Sequence, residues 1–365
     1  MRINTITCHD VYNHGASLQA FALQEYLRSL GHDVQIIDYK PDYLSQHYRL
    51  DDVNPVYDRP IIRWLYMLAK LPSRMLLRPR KWAFDRFTKK FLLLTPRRYH
   101  SNDELKENPP QADLYICGSD QIWNTIFPNG KDPAFYLDFA PRGKKRIAYA
   151  ASFATREVET SCFGFVSDML SHLDAISVRE RSSLALLEAL GRKDGTAVCD
   201  PVFLMDRAFW SRFAGKPTHN VRPYLVVYDF EQSESVRRIA ERVAAEERLT
   251  ICNIGPRKLS YAHRNYTSSG PKDFVRLIRD ARFVLSNSFH ATAFSMIFHV
   301  PFFIVKRSEA INERMQSLLT DCSLVHRIVE CPDHLASFSV DYDNVEAHLN
   351  PVISESKRFI QSICL

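Results

Sequence analysis

Glycine is scarce in this chain of 365 residues, which contains only 11 of them. Neither G-x-G-x-x-G nor G-x-x-x-x-G-K-[ST] occurs in the sequence. Both motifs need glycine so that the backbone can approach the phosphates of a nucleotide. The sequence therefore argues against a dinucleotide or P-loop phosphate cradle.

Long apolar runs and paired cysteines are also missing. No stretch reaches the roughly 18 to 20 apolar residues of a transmembrane helix, and the N-terminus has no apolar signal core. The eight cysteines are spread along the chain without a C-x-x-C pair. We expect reduced cysteines inside apolar runs, neither a disulfide nor a zinc framework, and a cytoplasmic protein.

Metal and cofactor sites have no clear signature either. His9 and His14 flank Asp10, but this loose grouping lacks the spacing of a metal site. No serine or cysteine carries a local signature of an activated nucleophile. We expect neither a metal nor a cofactor.

What the chain does contain is the alternation of strands and helices typical of an α/β protein. Its length predicts two domains, and it opens with a strand, a loop, a helix from Ser17 to Leu30 and a second strand. Such openings begin parallel sheets, whose ligands bind beyond the carboxyl ends of the strands. The predicted units are an N-terminal domain over 1–213, a smaller domain over 214–343 that begins with a linker at 214–220, and a tail over 344–365.

The tail is expected to be helical from Asn344 to Ile363, with an interruption near Pro351. Proline lacks the backbone N–H that a helix interior needs, which is the reason for placing the interruption there. We expect this segment to pack back on the first domain.

A basic amphipathic segment at about 59–94 interrupts the first predicted domain. Residues 59–90 contain ten Lys or Arg and one acid, for a local net charge of +9 against +6 for the whole chain. Tryptophan and phenylalanine lie between the basic residues, as in helices at a membrane interface. The segment is either a helical insertion with a solvated basic face or a peripheral contact with the inner face of the membrane. Because no recognised nucleic-acid module accompanies it, we expect no nucleic-acid partner.

The turn between a predicted strand and helix within 283–302 is a candidate site. A short apolar strand ends at Leu285, and Asn287 or Ser288 can cap the following helix. Unpaired backbone N–H groups and the positive end of a helix dipole meet at such a turn, which favours an anion. His290 lies there, and it either exchanges a proton with a ligand or is a buried, hydrogen-bonded residue.

Further polar residues follow other predicted strands. Arg179 either pairs with Glu180 or holds a carboxylate or phosphate through its planar guanidinium. Asp120 and Asn13 either contact a ligand or satisfy their own backbone. Two basic residues beyond the strand after His290's helix are either ligands or surface charges: Lys306 and Arg314.

The most specific signal is a set of five segments that occur in a fixed order. They are NHGASLQAFAL at 13–23, GSDQIWN at 118–124, ISVRE at 176–180, CDP at 199–201 and SNSFHATAFS at 286–295. Together they resemble the polysaccharide pyruvyl transferase family. The resemblance implies an α/β fold of two Rossmann-like domains with an inter-domain crevice, similar to the GT-B glycosyltransferase architecture.

The resemblance also implies a reaction. Pyruvate would be moved from phosphoenolpyruvate onto two hydroxyls of a sugar, forming a cyclic pyruvate ketal in cell-surface polysaccharide biosynthesis. The acceptor would be either a sugar linked to a membrane-bound polyprenyl diphosphate or a soluble glycan. The first domain would be the acceptor side and the second domain the donor side.

Roles for single residues come from the same resemblance. His290 and Arg179 are implied as the catalytic residues. Donor-binding residues are implied to be Arg179, Asn287, Ser288, His290, Lys306 and Arg314. Acceptor-binding residues are implied to be Asn13, Gly15, Ser119, Asp120 and Gln121.

The chain departs from the family's pattern at one motif. Better-known members have an Arg-Leu-His run before the last glycine-containing helix, whereas this chain has Ser288, Phe289 and His290, followed by Ala291. The histidine is kept and the arginine is not, so other groups must bind the donor. The missing arginine leaves open a glycan-binding relative without catalytic activity. A glycosyltransferase that uses a nucleotide sugar also stays open, because the inter-domain crevice would serve either donor.

Overall fold

The computed structural model of this protein describes residues 1–44, 60–217, 222–307, 312–335 and 337–364. The predicted linker is described only to residue 217 and the predicted basic segment only from residue 60. Few side chains between residues 60 and 74 are described.

The first half of the chain forms a parallel sheet of seven strands. These strands are β1 (Arg2–Ile6), β2 (Asp33–Tyr39), β3 (Leu94–Tyr99), β4 (Leu114–Cys117), β5 (Lys145–Ala151), β6 (Ala175–Val178) and β7 (Thr196–Ala197). Their order across the sheet is β3-β2-β1-β4-β5-β6-β7. This is the Rossmann order extended by one strand.

The second half forms a parallel sheet of five strands. These strands are β8 (Tyr224–Tyr228), β9 (Thr250–Asn253), β10 (Arg264–Asn265), β11 (Phe283–Ser286) and β12 (Phe302–Ile304). Their order is β10-β9-β8-β11-β12, so the chain again reverses direction across the sheet beside its first strand. Both sheets therefore have a point at which ligands bind in Rossmann-like folds.

Eleven α-helices connect the strands within the described residues. In the first half they are α1 (His14–Ser29), α2 (Pro60–Phe91), α3 (Asn102–Glu107), α4 (Phe163–Ser171), α5 (Ser182–Ala189) and α6 (Arg207–Ala214). In the second half they are α7 (Glu234–Glu246), α8 (Pro271–Arg279), α9 (Phe289–Phe298), α10 (Glu313–Asp321) and α11 (Tyr342–Ile363). None of the helices in this part of the chain is both long and apolar enough to cross a membrane.

One hydrophobic core joins the two sheets. It includes Ile3 and Leu114 of the first sheet together with Val226 and Val284 of the second. The alternate residues of the strands, such as Tyr115, belong to a separate core on the other face of the first sheet. This follows from the alternation of side chains along a strand, and the two domains consequently share apolar packing.

The predicted fold class is confirmed, since the chain is α/β with two parallel sheets of Rossmann-like order. Strands β4 and β8 are short apolar runs whose residues are all buried. The basic segment forms α2, a helix of 32 residues.

One strand was missed, and one local expectation was wrong. Strand β3 was not anticipated, because Pro96 and two arginines make it unlike a buried strand. It lies at the edge of the sheet, where proline and charge are tolerated. The tail is not interrupted near Pro351, since α11 continues through that residue.

Candidate functional site

A cleft of about 440 Å³ lies between the two domains. Three of the predicted site residues from the first domain line it: Asn13, Asp120 and Gln121. Five from the second domain line it as well: Asn287, Ser288, His290, Lys306 and Arg314. The structure thus brings most of the predicted residues to one place, because they follow the carboxyl ends of parallel strands that face each other across the cleft.

His290 lies in the first turn of α9, directly after β11. The Ser288 hydroxyl caps this helix and accepts a hydrogen bond from Ala291 N at 3.4 Å. Because the cap fixes the start of the helix, it also fixes the direction of the neighbouring imidazole. His290 is 5% exposed, so its ring is nearly enclosed.

The first domain surrounds the imidazole of His290 on two sides. On one side, Nε2 lies 3.4 Å from the Asp200 Oδ2 atom. On the other, the ring lies against Gly15 of α1, where an added Cβ atom would be 1.9 Å from Nδ1. His290 is therefore a residue of the second domain whose position depends on residues of the first.

Asp200 is a buried anion at the base of this arrangement. Its Oδ2 accepts a hydrogen bond from Arg179 Nη1 at 2.5 Å, and its Oδ1 accepts one from Val202 N at 3.0 Å. Burial would raise the pKa of the Asp200 carboxyl, but His290, Arg179 and the Val202 N–H together hold it well below its usual range. Asp200 consequently keeps its negative charge at neutral pH.

Arg179 lies behind the cleft rather than among the described residues that line it. Its guanidinium lies 4.7 Å from the centre of the Phe289 ring. Besides Asp200, it faces Glu180 at 3.5 Å and Asp120 at 3.8 Å. Burial opposes its charge, but these three carboxylates raise the pKa of Arg179 above its ordinary value. Arg179 is thus held by internal acids.

Ser119 and Gly15 are also near the site without lining the cleft. The Ser119 hydroxyl donates to Ala150 O at 3.0 Å and lies 3.5 Å from Asp200 Oδ2. Gly15 provides the space that the imidazole of His290 occupies. Both therefore contact the groups around His290.

Arg314 links α10 of the second domain to the first domain. Its Nη1 lies 3.3 Å from Asp120 Oδ1. Burial and the nearby charge of Arg179 lower the pKa of Arg314 to about 10, although Asp120 and Glu180 act in the opposite direction. Arg314 remains a cation at neutral pH, and it lines the cleft.

The end of β12 adds two basic residues to the cleft. Lys306 is exposed, and Arg307 is half-buried with its guanidinium 5.0 Å from the centre of the Phe230 ring. Arg307 Nε lies 3.9 Å from Glu231 Oε1. Ser288 lines the same cleft and carries no charge. Lys306 and Arg307 therefore supply the positive charge on this side of the cleft.

Asn13 and Asn287 support the backbone where they line the cleft. Asn13 Oδ1 caps α1 by accepting a hydrogen bond from Gly15 N at 2.9 Å. Asn287 Nδ2 donates to Asp229 Oδ1 at 2.6 Å, and its oxygen accepts from Phe230 N at 3.1 Å. Asn13 therefore satisfies its own backbone, which is one of the two alternatives for this residue, and it also borders the cleft.

The sequence reasoning missed Asp200 and Arg307 as members of the site. Asp200 was noted only as part of the CDP segment, although a carboxylate there could have been paired with Arg179. Arg307 directly follows Lys306, and a second cation after a strand was a usable signal. Within the described ranges, no group of three or more His, Cys, Asp and Glu is placed to hold a metal ion.

The sequence model of polysaccharide pyruvyl transferase matches residues 13–309. The chain belongs to the polysaccharide pyruvyl transferase family. This confirms the resemblance drawn from the five segments, all of which lie inside the matched region. Membership makes the protein a transferase of polysaccharide pyruvylation.

Several solved structures resemble the chain at low sequence identity. A UDP-N-acetylglucosamine 2-epimerase from Rickettsia bellii is 12% identical over 100% of this chain and 96% of that one, with a TM-score of 0.49. The epimerase of Methanocaldococcus jannaschii, in complex with UDP-GlcNAc and UDP, is 12% identical over 100% and 99%, with a TM-score of 0.49. A glycosyltransferase from Streptomyces nogalater is 13% identical over 98% and 94%, with a TM-score of 0.43. A sequence search of curated proteins gives no match.

Proposed function

We propose that this pyruvyl transferase uses phosphoenolpyruvate as donor and converts two hydroxyls of a sugar into a cyclic pyruvate ketal. The observation that carries the proposal is the position of His290. Its imidazole borders a cleft with basic residues on one side, and a buried carboxylate lies 3.4 Å from its Nε2 atom. An acid near a site for anions is what the reaction requires.

His290 is the proton donor in this proposal. Asp200 can only accept at neutral pH, so a proton on His290 Nε2 faces Asp200 and Nδ1 is the atom left for exchange with a ligand. The Nδ1–H bond breaks and a C–H bond forms at the methylene carbon of phosphoenolpyruvate. The positive centre that results at C2 then bonds to the oxygen of the first sugar hydroxyl, whose proton passes to the now neutral His290 Nδ1.

The ketal closes in a second stage. His290 Nδ1 returns this proton to the phosphate as the bond between C2 and the phosphate oxygen breaks, and inorganic phosphate leaves with the electron pair of that bond. The second sugar hydroxyl attacks C2 and loses its proton, for which neutral His290 Nδ1 is the nearby base. One phosphate is released for each ketal formed, and no covalent intermediate with the enzyme is needed.

Arg307 and Lys306 supply the positive charge that Ser288 does not. Both follow β12 and line the cleft together with Ser288. The N-terminus of α9 adds unpaired backbone N–H groups on the same side. A phosphate or carboxylate of the donor is stabilised by these groups, with Arg314 as a further cation nearer the first domain.

Arg179 acts through other residues rather than on the donor itself. We expected it to anchor phosphoenolpyruvate, but its guanidinium is engaged by three buried or partly buried carboxylates. It stabilises the charge of Asp200 and supports Phe289, the neighbour of His290. In the proposal Arg179 is therefore a positioning residue.

The acceptor sugar occupies the side of the cleft formed by the first domain. Asn13, Asp120 and Gln121 line that side and offer hydrogen-bonding groups to sugar hydroxyls. Gly15 and Ser119 lie behind them and contribute by holding His290 and Asp200. The acceptor is linked to a polyprenyl diphosphate, and the protein works at the inner face of the membrane.

The test is substitution of His290 with assays for both products. We expect His290→Gln to lower the turnover of phosphoenolpyruvate by about 100-fold or more, since it removes the proton donor. Phosphate release and the mass of a ketal added to lipid-linked sugars are measured in parallel. His326→Gln, at an exposed histidine of the same domain, is the matched control and should have normal turnover.

Two results would contradict the proposal. Equal phosphate release by His290→Gln and by the unmodified protein would remove His290 from the reaction. Saturable binding of a nucleotide sugar, with no binding of phosphoenolpyruvate in the same titration, would favour a glycosyltransferase instead.

A second prediction concerns the donor site. We expect Arg307→Gln to raise the KM for phosphoenolpyruvate roughly tenfold with little change in kcat, because it weakens the binding of an anion before and during the reaction. Arg238→Gln on the exposed face of α7 removes the same charge away from the cleft and should leave both constants unchanged. A fall in kcat without a change in KM would show that Arg307 does not bind the donor in this way.

A further inference from the structure

One side of α2 presents an apolar stripe to solvent. Trp64 is 67% exposed, Leu71 39%, Met75 54% and Trp82 58%. At about 100° per residue, these four positions lie within roughly 40° of one another around the helix. A stripe of this size at helical spacing is a surface that a soluble helix normally buries.

The fold already uses the opposite side of α2. Phe84 and Phe87 are 2% and 3% exposed, and Phe87 contacts Phe21 of α1 with ring centres 5.9 Å apart. These residues lie roughly 140° to 160° away from the centre of the apolar stripe around the helix. The stripe is therefore not the side by which α2 packs on the body of the protein.

Basic residues continue the apolar stripe toward the C-terminal end of α2. Arg78, Arg86 and Lys89 are exposed and lie within about 40° of the stripe's centre. The Arg78 guanidinium lies 5.6 Å from the centre of the Trp82 ring. This side of the helix combines exposed tryptophan with positive charge.

Charge complementarity decides what can cover this side. A second copy of the chain would place two basic segments against each other, each with a net charge of +9 over residues 59–90. Their repulsion would cost free energy. A nucleic acid would pair with the cations but leave the apolar stripe in water. An anionic lipid bilayer offers both phosphate headgroups and an apolar interior.

We propose that this side of α2 lies in the headgroup region of an anionic lipid bilayer. The helix would lie along the surface, with Trp64 and Met75 inserted below the phosphates and Lys89 among them. The adjoining part of α2 contacts the loop before α1, where Tyr12 donates to Asp85 Oδ1 at 3.2 Å. Asn13 of the same loop lines the cleft, so docking would hold the cleft close to the bilayer. Only the use of a lipid-linked acceptor rests on the proposed function; the docking itself does not.

The experiment is sedimentation of the full chain with lipid vesicles, without phosphoenolpyruvate or sugar. One set of vesicles is phosphatidylcholine, and the other is phosphatidylcholine and phosphatidylglycerol in equal parts. We expect binding only to the anionic set, with the partition coefficient falling as salt rises. The intrinsic tryptophan fluorescence should shift to shorter wavelength on binding, as indole leaves water.

Variants separate the apolar and the basic contributions. The pair Trp64→Ser and Met75→Ser should lower the partition coefficient by about tenfold or more, as should the triple change of Arg78, Arg86 and Lys89 to Gln. The control is Leu76→Ser, on the same helix at 80% exposure but about 120° from the stripe, which should have a much smaller effect. Thermal unfolding of each variant checks that the fold is kept.

Several outcomes would overturn the inference. They are equal binding to both vesicle sets, variants of the stripe that bind as well as Leu76→Ser, and a concentration-dependent dimer that the stripe variants abolish. Salt-sensitive binding to duplex DNA in place of vesicles would also overturn it. The vesicle assay contains neither donor nor acceptor. A failure to bind vesicles would therefore not contradict the proposed pyruvyl transfer, and a lack of pyruvyl transfer would not contradict vesicle binding.

Discussion

Gly15 is the residue that allows His290 to reach the first domain. It lies in the first turn of α1, and the imidazole of His290 fills the space where a side chain would otherwise be. Glycine normally lowers helix stability relative to alanine by about 1 kcal/mol. At this position the need for close approach outweighs helix propensity.

Gly15→Ala is expected to impair catalysis by displacing His290. The new methyl group would lie 1.9 Å from His290 Nδ1, so either the ring or α1 must move. We expect kcat to fall roughly 100-fold, since a shift of about 1 Å in a reacting group has effects of that size. Steady-state kinetics measure the loss, and ultraviolet circular dichroism checks that the fold is intact.

Gly164→Ala is the matched control for this substitution. Gly164 is an exposed glycine in the first turn of α4, and an added Cβ would meet no atom within 4 Å. Alanine there should leave kcat unchanged and raise the free energy of unfolding by about 0.5 to 1 kcal/mol. If Gly15→Ala behaved in the same way, the close approach of His290 to α1 would be refuted.

The candidate site could be predicted in part because its residues follow strands. His290 and Asn13 lie in the segments that follow β11 and β1, and the carboxyl ends of parallel strands meet at one edge. The pairing of His290 with Asp200 could not be predicted, because the two lie on different domains and far apart in the chain. The burial of Arg179 among carboxylates could not be predicted either. An arginine after a strand has the same sequence pattern whether its side chain faces a ligand or internal acids.

At the scale of elements, α11 connects the two halves of the molecule. Near its start the Tyr342 hydroxyl donates to Val300 O at 2.5 Å. Two turns from its end, the Ser356 hydroxyl accepts from Cys199 N at 2.8 Å, and Ile360 is completely buried. Packing at both ends stabilises the helix enough to offset the hydrogen bond and the steric clash that Pro351 costs it. The sequence pattern did not reveal this packing, so it predicted an interruption.

Ser356→Ala is expected to destabilise the protein, because it removes a hydrogen bond between α11 and Cys199 of the first domain. The change leaves the buried Cys199 N–H without its partner, which costs about 1 to 3 kcal/mol of unfolding free energy. Ser362→Ala is the control on the same helix, because that hydroxyl is exposed and donates to Phe359 O of its own helix. Denaturant unfolding should show a change within about 0.5 kcal/mol for the control. Equal effects of both changes would argue against docking of the tail on the first domain.

At the scale of the whole molecule, ionic and aromatic contacts hold the two domains around the cleft. Arg156 pairs with Glu313 at 2.8 Å and Arg181 with Asp321 at 3.1 Å, so α10 is attached at both ends to the first domain. On the other side, His14 of α1 is stacked on Phe274 of α8 with ring centres 4.6 Å apart. The sequence could predict two domains, but not these contacts, because each joins residues with no regular spacing in the chain.

His14 is a buried titratable group at the contact between the two domains. Its Nε2 lies 3.0 Å from Ser269 O, which can only accept, so Nε2 carries the proton and Nδ1 accepts from the Tyr228 hydroxyl at 3.2 Å. Burial and then the charge of Arg80 lower the pKa of His14 well below 6.5, although the hydrogen bond to Ser269 acts in the opposite direction. The folded protein therefore holds His14 neutral at pH values where the unfolded chain has begun to protonate it.

The free energy of unfolding should accordingly fall as the pH decreases below 6.5, the ordinary pKa of the histidine. A single proton bound more readily by the unfolded chain gives a slope of up to about 1.4 kcal/mol per pH unit. His14→Phe preserves the aromatic stack but cannot titrate, so denaturant unfolding between pH 8 and 5 should give a shallower slope. At pH 8 the variant should be less stable by about 1 to 3 kcal/mol, because Ser269 O loses the N–H of His14 as its hydrogen-bond donor. His326→Gln, at an exposed site, should keep most of the slope, and an unchanged slope in His14→Phe would show that His14 is not its source.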